Sequence, residues 1–227
     1  MLEEQGFEII EAVLTLSECD EIAAKLSSIS LSGAGTRNLL KENWCADLSR
    51  KVFRHPSIYR SVPPSYIAVQ CNYFEKSKEN NWLVPLHQDI SIPVLQRVNH
   101  PQLSGWSGKE GFTYVQPPLN VLQSLVTVRI HIDACGTNDG PIKVVPKSHM
   151  LGIVSAESGL KVRRQSEEVS CIVSKGGAVV MRPLILHASS KATGDSRRRV
   201  LHFLFGPPYL PYGLQWQASV ICKQASP

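Results

Sequence analysis

Two histidine–x–aspartate pairs stand out along the chain, His87-Gln88-Asp89 and His131-Ile132-Asp133. Both follow apolar, strand-like residues, and on a strand residues i and i+2 point to the same face. An imidazole and a carboxylate so placed can take adjacent positions on one metal ion. A second histidine from another strand completes a facial set and leaves three positions open for a bidentate 2-oxo acid and for dioxygen. His187, in Leu184-Ile185-Leu186-His187-Ala188-Ser189, is the candidate for that histidine. Spacing alone does not choose between the two pairs.

A 2-oxo diacid also needs a cation for its far carboxylate. Arginine suits this because its planar fork matches a carboxylate bidentately and stays charged. Arg198 lies eleven residues beyond His187, past a turn through Thr193-Gly194-Asp195, at the start of the next strand. Hairpin geometry can return it to His187; Arg197 and Arg199 are immediate rivals.

These residues must be positioned by strands, and the chain supplies them after a helical opening. Thr15-Leu16-Ser17-Glu18 reads as a capping box. Leu16, Cys19, Ile22, Ala23 and Leu26 follow at helical spacing, which predicts a helix over 16–28. Gly33-Ala34-Gly35 breaks the chain, and a second helix is expected over 43–54, stopping near His55-Pro56. Beyond Pro63-Pro64 the segments become short and β-branched, at 66–74, 122–133, 142–145, 169–174, 178–181 and 200–205. Turns fall at Asn138-Asp139-Gly140-Pro141 and Lys175-Gly176-Gly177. In the clearest strand Val126, Val128, Ile130 and Ile132 face one way and Thr127, Arg129, His131 and Asp133 the other. Helices first and many short strands afterwards imply an α+β protein of one domain spanning 1–227. Its core is expected to be a double-stranded β-helix, jelly-roll or cupin-like, with N-terminal flanking helices. The stretch 97–118, with Trp106, Phe112 and Tyr114, shows no periodicity and reads as a lid or binding loop.

In order along the chain stand His87-Gln88-Asp89, then Asp139-Gly140-Pro141-Ile142-Lys143-Val144-Val145-Pro146-Lys147-Ser148-His149, then His187-Ala188-Ser189 and Arg198. This order, with the opening Gly6-Phe7-Glu8-Ile9-Ile10, resembles the phytanoyl-CoA dioxygenase family of iron(II)/2-oxoglutarate oxygenases over nearly the whole chain. The resemblance implies that His87, Asp89 and His187 hold iron(II). It leaves His131 and Asp133 as structural or cavity-lining groups and gives His149 a structural or supporting role. It further implies that Ser189, with Gln70 or Asn72, joins Arg198 on 2-oxoglutarate. One departure is plain: the family's Val-Pro-Gly-Ser-His glycine is Lys147 here. Glycine permits positive φ, so Lys147 points to a changed turn or to a basic group near the cavity mouth.

The remaining features narrow the function class. The formal net charge of +5 comes without a stripe of Lys/Arg interleaved with aromatics, so nucleic acid is not an expected partner. No charge-poor run reaches transmembrane length and no basic-then-apolar leader opens the chain, so no membrane association and a cytoplasmic location are expected. Six scattered cysteines form no Cys-x-x-Cys pair, which argues against zinc and redox motifs. Gly105-Trp106-Ser107-Gly108-Lys109 lacks the last glycine of a nucleophile elbow. The retained carboxylate of Asp89 favours hydroxylation over halogenation. If Thr127, Arg129 and His131, with Trp106, line the cavity, a small polar or anionic metabolite is the expected substrate. Two other readings stand beside this one, a non-catalytic binding member of the fold and a metal-dependent cupin without 2-oxoglutarate. Succinate release separates both from an oxygenase. The residues do not reveal the oligomeric state.

Overall fold

The computed structural model describes residues 2–29 and 35–222. A one-turn helix α1 (Leu2–Gln5) leads into strand β1 (Phe7–Ile10), and helix α2 (Leu16–Ser27) follows. The capping box at its start forms in full: the Thr15 hydroxyl accepts from Glu18 N–H, and the Glu18 carboxylate accepts from Thr15 N–H at 2.9 Å. Such a cap contributes about 1 kcal/mol. The larger stabilisation comes from the buried Cys19, Ile22 and Leu26, since each fully buried aliphatic side chain is worth about 1.5–3 kcal/mol. The sequence segment Gly33-Ala34 lies outside the described residues. A two-residue strand β2 (Gly35–Thr36) precedes helix α3 (Asn43–Arg54), which ends before Pro56 as expected.

The strands that build the site follow. They are β3 (Ile67–Lys76), β4 (Val84–His87), β5 (Ile92–Val94), β6 (Ser104–Lys109), β7 (Phe112–Gln116), β8 (Val126–His131), β9 (Ile142–Val144), β10 (Val169–Ser170), β11 (Ala178–Met181), β12 (His187–Ser189), β13 (Arg198–Gly206) and β14 (Val220–Ile221). Among the described residues one sheet runs β1-β11-β8-β13-β3-β14, with β2 beside β3, and a second runs β10-β9-β12-β4. The paired strands are antiparallel, as a double-stranded β-helix requires. No helix among the described residues is long and apolar enough to cross a membrane.

The two faces of the large sheet have different fates. Val126, Val128 and Ile130 pack with Leu201, Phe203 and Phe205 against Leu26, Val52 and Phe53 of the helices. Thr127, Arg129 and His131 face inward, and every residue of β8 is buried, so this polar face is turned into the space between the sheets. The strand is also shorter than the sequence suggested, because Leu119–Gln123 forms a short helix and Asp133 lies past the strand's end.

The segment 97–118 is a regular structure rather than a loop. β5, β6 and β7 form a three-stranded sheet, order β5-β7-β6. Its hairpin turns at Glu110 and Gly111, both with positive φ, 51° and 79°, the backbone that a tight right-twisted hairpin demands. Periodicity was hidden because β6, Ser-Gly-Trp-Ser-Gly-Lys, is largely exposed and carries no apolar alternation. The Glu110 carboxylate pins the tip to the helical side by accepting from Thr36 Oγ, Arg37 N–H and the Arg37 guanidinium, each at 2.8 Å.

Lys147 keeps the turn that glycine makes in the family pattern, with φ +66°. A side chain in this region costs about 1–2 kcal/mol. Lys147→Gly is therefore expected to stabilise the fold by up to about 1 kcal/mol after glycine's extra unfolded-chain entropy, or about 2–4 °C in Tm. A thermal melt followed by circular dichroism measures this; a lowered Tm counts against strain at Lys147.

Candidate functional site

His87 and His187 are direct cross-strand partners on β4 and β12, which sets their rings 4.2 Å apart. Each ring places its Nδ1 on a backbone carbonyl two residues back, His87 on Pro85 at 2.8 Å and His187 on Ile185 at 2.9 Å. That bond commits the Nδ1 proton and leaves the Nε2 lone pair free, the tautomer a metal needs. Asp89 lies just beyond β4 and is fixed by its backbone N–H on Pro183 O at 2.9 Å. Its carboxylate sits 3.6 Å from His87 Nε2 and 3.8 Å from His187 Nε2. The three donor atoms lie within 4.8 Å of one another, a spacing one divalent ion can bridge.

Between the two β4-side ligands, Gln88 points the other way and is buried. Its amide donates to Gly152 O and Leu184 O at 2.8 and 2.7 Å and accepts from Val154 N–H at 2.9 Å. Three hydrogen bonds thus hold the peptide that carries both ligands. Ser148 supports the opposite ligand: its hydroxyl accepts from Leu186 N–H at 2.8 Å, next to His187. His149 places Nε2 3.1 Å from Glu3 O and so ties the N-terminal turn to this region.

Electrostatics favours the ligating forms of Asp89 and His187, whereas His87 must give up a proton to a metal. Burial works against a charged Asp89, but the three histidines, His87 foremost, hold its pKa far below the usual carboxylate range. Burial also opposes a charge on His87, yet the Asp89 carboxylate outweighs it and raises that ring's pKa. Burial drops His187 to about 4, against the pull of Asp89. Carboxylate anion and neutral imidazole are the forms that coordinate.

The three groups open onto a cavity of about 370 Å³ between the sheets. Register arranges its floor in rows across β8, β13 and β3. Arg198 is opposite Lys76; Val200 is flanked by His131 and Phe74; His202 by Arg129 and Asn72; Leu204 by Thr127 and Gln70. In the second row Phe74 borders the cavity, whereas His131 lies fully buried, with neither ring nitrogen hydrogen-bonded. Burial, followed by Arg129 and Arg198, keeps it neutral. His131 thus lies behind the cavity lining, contrary to its expected place on the wall. Asp133 is bound instead by Arg199, whose Nε and Nη2 donate at 2.8 and 2.7 Å. Arg197 pairs with Glu75 at 2.9 Å. Both rivals of Arg198 are therefore committed elsewhere.

Arg198 is 1% exposed and borders the cavity. Its Nη1 donates to Gly140 O, and Ser189 Oγ donates to the same carbonyl at 2.9 Å. Gly140 has φ +62°, and a Cβ there would lie 2.5 Å from Ser190 O, so only glycine turns this carbonyl inward. Arg129, also on the wall, has an unpartnered Nε and lies 5.6 Å from the Phe74 ring centre. Burial and the neighbouring Arg198 lower it to about 9. Asp133, from the same face of the segment, does not neutralise Arg129, since it faces Arg199.

Thr127, Gln70 and Asn72 line the cavity, and Gln70 donates to Asn72 Oδ1 at 2.7 Å and to Tyr114 Oη at 2.8 Å. Trp106 does not: it packs on the apolar cluster of the three-stranded sheet under Arg97, and Tyr114 is the aromatic residue of that sheet on the wall. Two residues escaped the sequence reading. His202 lines the cavity with Nε2 3.9 Å from Asp89 Oδ2, and Lys76 is completely buried beside Ser189. Period-two alternation, extended from Arg198 to His202 and from Gln70 and Asn72 to Lys76, places both on the inner face.

The phytanoyl-CoA dioxygenase (PhyH) family pattern matches residues 2–200. No curated protein matches the chain significantly. Among solved structures, HygX from Streptomyces hygroscopicus with nickel and 2-oxoglutarate bound is similar, with TM-score 0.64 at 14% identity over 92% of this chain and 85% of that one. SnoN, a non-heme alpha ketoglutarate dependent epimerase from nogalamycin biosynthesis, gives 0.67 at 13% identity over 100% and 87%. The non-heme monooxygenase ThoJ gives 0.65 at 15% identity over 99% and 83%. At these identities the likeness is one of fold.

Proposed function

Because the chain belongs to the phytanoyl-CoA dioxygenase family, we propose that it is an iron(II)- and 2-oxoglutarate-dependent oxygenase that hydroxylates a small anionic metabolite. The observation that carries this reading is the pairing, across one cavity, of a His-Asp-His donor set with a buried arginine that has no carboxylate partner among the described residues. HygX has been seen with iron and with 2-oxoglutarate, and SnoN uses the same diacid, which supports the choice of ligands. Iron held there would supply the oxidative decarboxylation of 2-oxoglutarate to succinate and carbon dioxide, with dioxygen as the oxidant.

His87, Asp89 and His187 hold the metal in this reading. Arg198 takes the distal carboxylate as a fork, and Ser189 adds a hydroxyl donor. Both give up the Gly140 carbonyl for a charged acceptor, and charge-assisted hydrogen bonds are about twice as strong as neutral ones. Asn72 shares the row of His202 and Arg129 and faces the 2-oxo end. Gln70 lies about 7 Å further along the strand, at the Tyr114 end, and serves the substrate rather than 2-oxoglutarate.

Charge balance supports an anionic substrate. A divalent metal, Asp89 and the 2-oxo carboxylate sum to zero, and the distal carboxylate neutralises Arg198. Arg129 remains, a desolvated cation in a wall that carries no carboxylate besides Asp89 among the described residues. Such a charge is costly without an anion.

Release of succinate under air, with iron(II) and 2-oxoglutarate and a panel of metabolites, tests the activity; a product one oxygen atom heavier distinguishes hydroxylation from epimerisation or cyclisation. Substrates bearing a carboxylate or phosphate should outperform their methyl esters. Arg129→Ala is expected to erase that preference, lowering kcat/KM for the anions by about tenfold or more while leaving the esters within about twofold. Unchanged selectivity in Arg129→Ala rules out this role. A protein that binds 2-oxoglutarate yet never releases succinate above background is a non-catalytic member of the fold.

A further inference from the structure

Lys76 is the largest buried charge that the proposed reaction leaves without a task. It sits at the inner end of β3, 0% exposed, directly opposite Arg198 on β13. Its Nζ donates to Ser189 Oγ at 2.7 Å and to Ser190 O, and lies 5.2 Å from the Trp82 ring centre. All its partners are neutral, and no described residue forms an ion pair with it. A buried ammonium beside a buried guanidinium, both without an anion, is a site waiting for negative charge.

We propose that Lys76 is a positioning residue for a dicarboxylate, acting through Ser189 to select 2-oxo acids that carry a second carboxylate. This rests on the 2-oxoglutarate reading above. Ser189 Oγ accepts from Lys76 and donates to Gly140 O. When a carboxylate arrives beside Arg198, the hydroxyl proton turns from the Gly140 carbonyl onto it while Lys76 keeps donating from behind. The serine thus becomes a polarised donor, and the ammonium adds attraction that a neutral hydroxyl pair lacks. The site holds two cations around one serine and one glycine carbonyl, and a Cβ at Gly140 would lie 3.1 Å from Lys76 Nζ.

The arrangement carries a pH signature. Burial, then Arg198 on β13 and Arg129 on β8, lowers Lys76 to about 7, with Cys135 opposing. Ser189, Ser190 and Trp82, which also pack on it, do not titrate. An incoming carboxylate raises that pKa again, so binding above pH 7 must take up a proton. Affinity for the diacid accordingly falls as pH rises past 7.

Iron(II)-loaded protein under nitrogen, titrated calorimetrically at pH 8 with 2-oxoglutarate and with 2-oxobutyrate, tests this. The second acid has the chelating end and lacks the distal carboxylate. Lys76→Met, which keeps the length and removes the buried charge, is expected to weaken 2-oxoglutarate about tenfold and to leave 2-oxobutyrate within about twofold. Repeating the titration in buffers of different ionisation enthalpy counts protons: a net uptake in the parent and none in the variant. The parent measurement alone remains decisive if the variant folds poorly, since zero uptake overturns the proposal. So does an unchanged 2-oxoglutarate affinity in Lys76→Met, and so does an equal loss for both acids, which marks a merely structural lysine. A parent that fails to prefer 2-oxoglutarate over 2-oxobutyrate sinks the co-substrate reading itself, whereas a preference that survives Lys76→Met sinks only the role of Lys76.

Discussion

Asp89→Ala is expected to lose iron(II) affinity by well over about 100-fold and to abolish 2-oxoglutarate turnover. Disturbing only the hydrogen-bond partner of a metal ligand already costs about 10–100-fold. Among the described residues Asp89 supplies the only carboxylate of the cavity wall, and it faces three histidines whose Nε2 atoms compete for it. Without it the metal's charge goes uncompensated in a pocket already rich in arginine, so both coordination and electrostatics fail. Calorimetric titration of iron(II) into the variant under nitrogen reads the loss directly. The second His-x-Asp pair is the control. Asp133→Ala removes the partner of Arg199, and is expected to lower Tm while leaving the metal affinity within a fewfold of the parent. Retained metal binding in Asp89→Ala, with loss in Asp133→Ala, would overturn the ligand assignment.

Arg198→Ala is expected to raise the Kd for 2-oxoglutarate by about tenfold to a hundredfold, the equivalent of about 1.5–3 kcal/mol for a hydrogen bond to a charged group. Arg198→Lys should recover only part of this, because an ammonium cannot reproduce the two parallel bonds of the fork. Folding should respond differently. Arg198 is desolvated, faces Arg129 and Lys76, and has an Nε without a partner. Its hydrogen-bond partners among the described residues are neutral, the Gly140 carbonyl, which Ser189 also serves, and the Cys135 thiol. Replacing an unpaired buried charge by an apolar chain of similar length is neutral or stabilising. Arg198→Met protein should therefore melt no lower than the parent in the absence of 2-oxoglutarate, and lose the Tm rise that the diacid gives the parent. An Arg198→Met variant that melts much earlier, with co-substrate affinity intact, assigns the arginine to the fold instead of the pocket.

The two results depend on different layers of the molecule. The metal ligands are held by register and by backbone hydrogen bonds: His87 opposite His187, Gln88 clamped by three partners, Asp89 on Pro183. The diacid end is held by charge, with Arg198 and Lys76 kept apart by Ser189 and by one inward carbonyl at a glycine of positive φ. Substitutions in the first layer act on metal affinity and those in the second on ligand selectivity, so paired titrations separate them.

Local patterns were legible in the sequence wherever one residue's neighbours decide its place. The capping box, the helices at 16–28 and 43–54, and the two faces of the strand around Arg129 all follow from periods of 3.6 and 2. The ordered motifs carried the family and, with it, the double-stranded β-helix. The hairpin Ser104–Gln116 was not legible, because its outer strand is exposed and offers no apolar alternation, and its tip depends on Arg37, more than seventy positions away in sequence. The lid expected there is in fact a latched sheet that contributes Tyr114, and not Trp106, to the cavity.

By itself, then, the sequence determined which residue types could form the site and which side of each strand they take, because side-chain direction is a local property of the backbone. Tertiary structure alone decided which charges are left over. Arg197 and Arg199 find Glu75 and Asp133, and Arg129, Arg198 and Lys76 find no carboxylate among the described residues. Whether a cation is neutralised depends on strands brought together from distant parts of the chain, over a few ångströms of low-dielectric interior, and no spacing along the sequence encodes that distance.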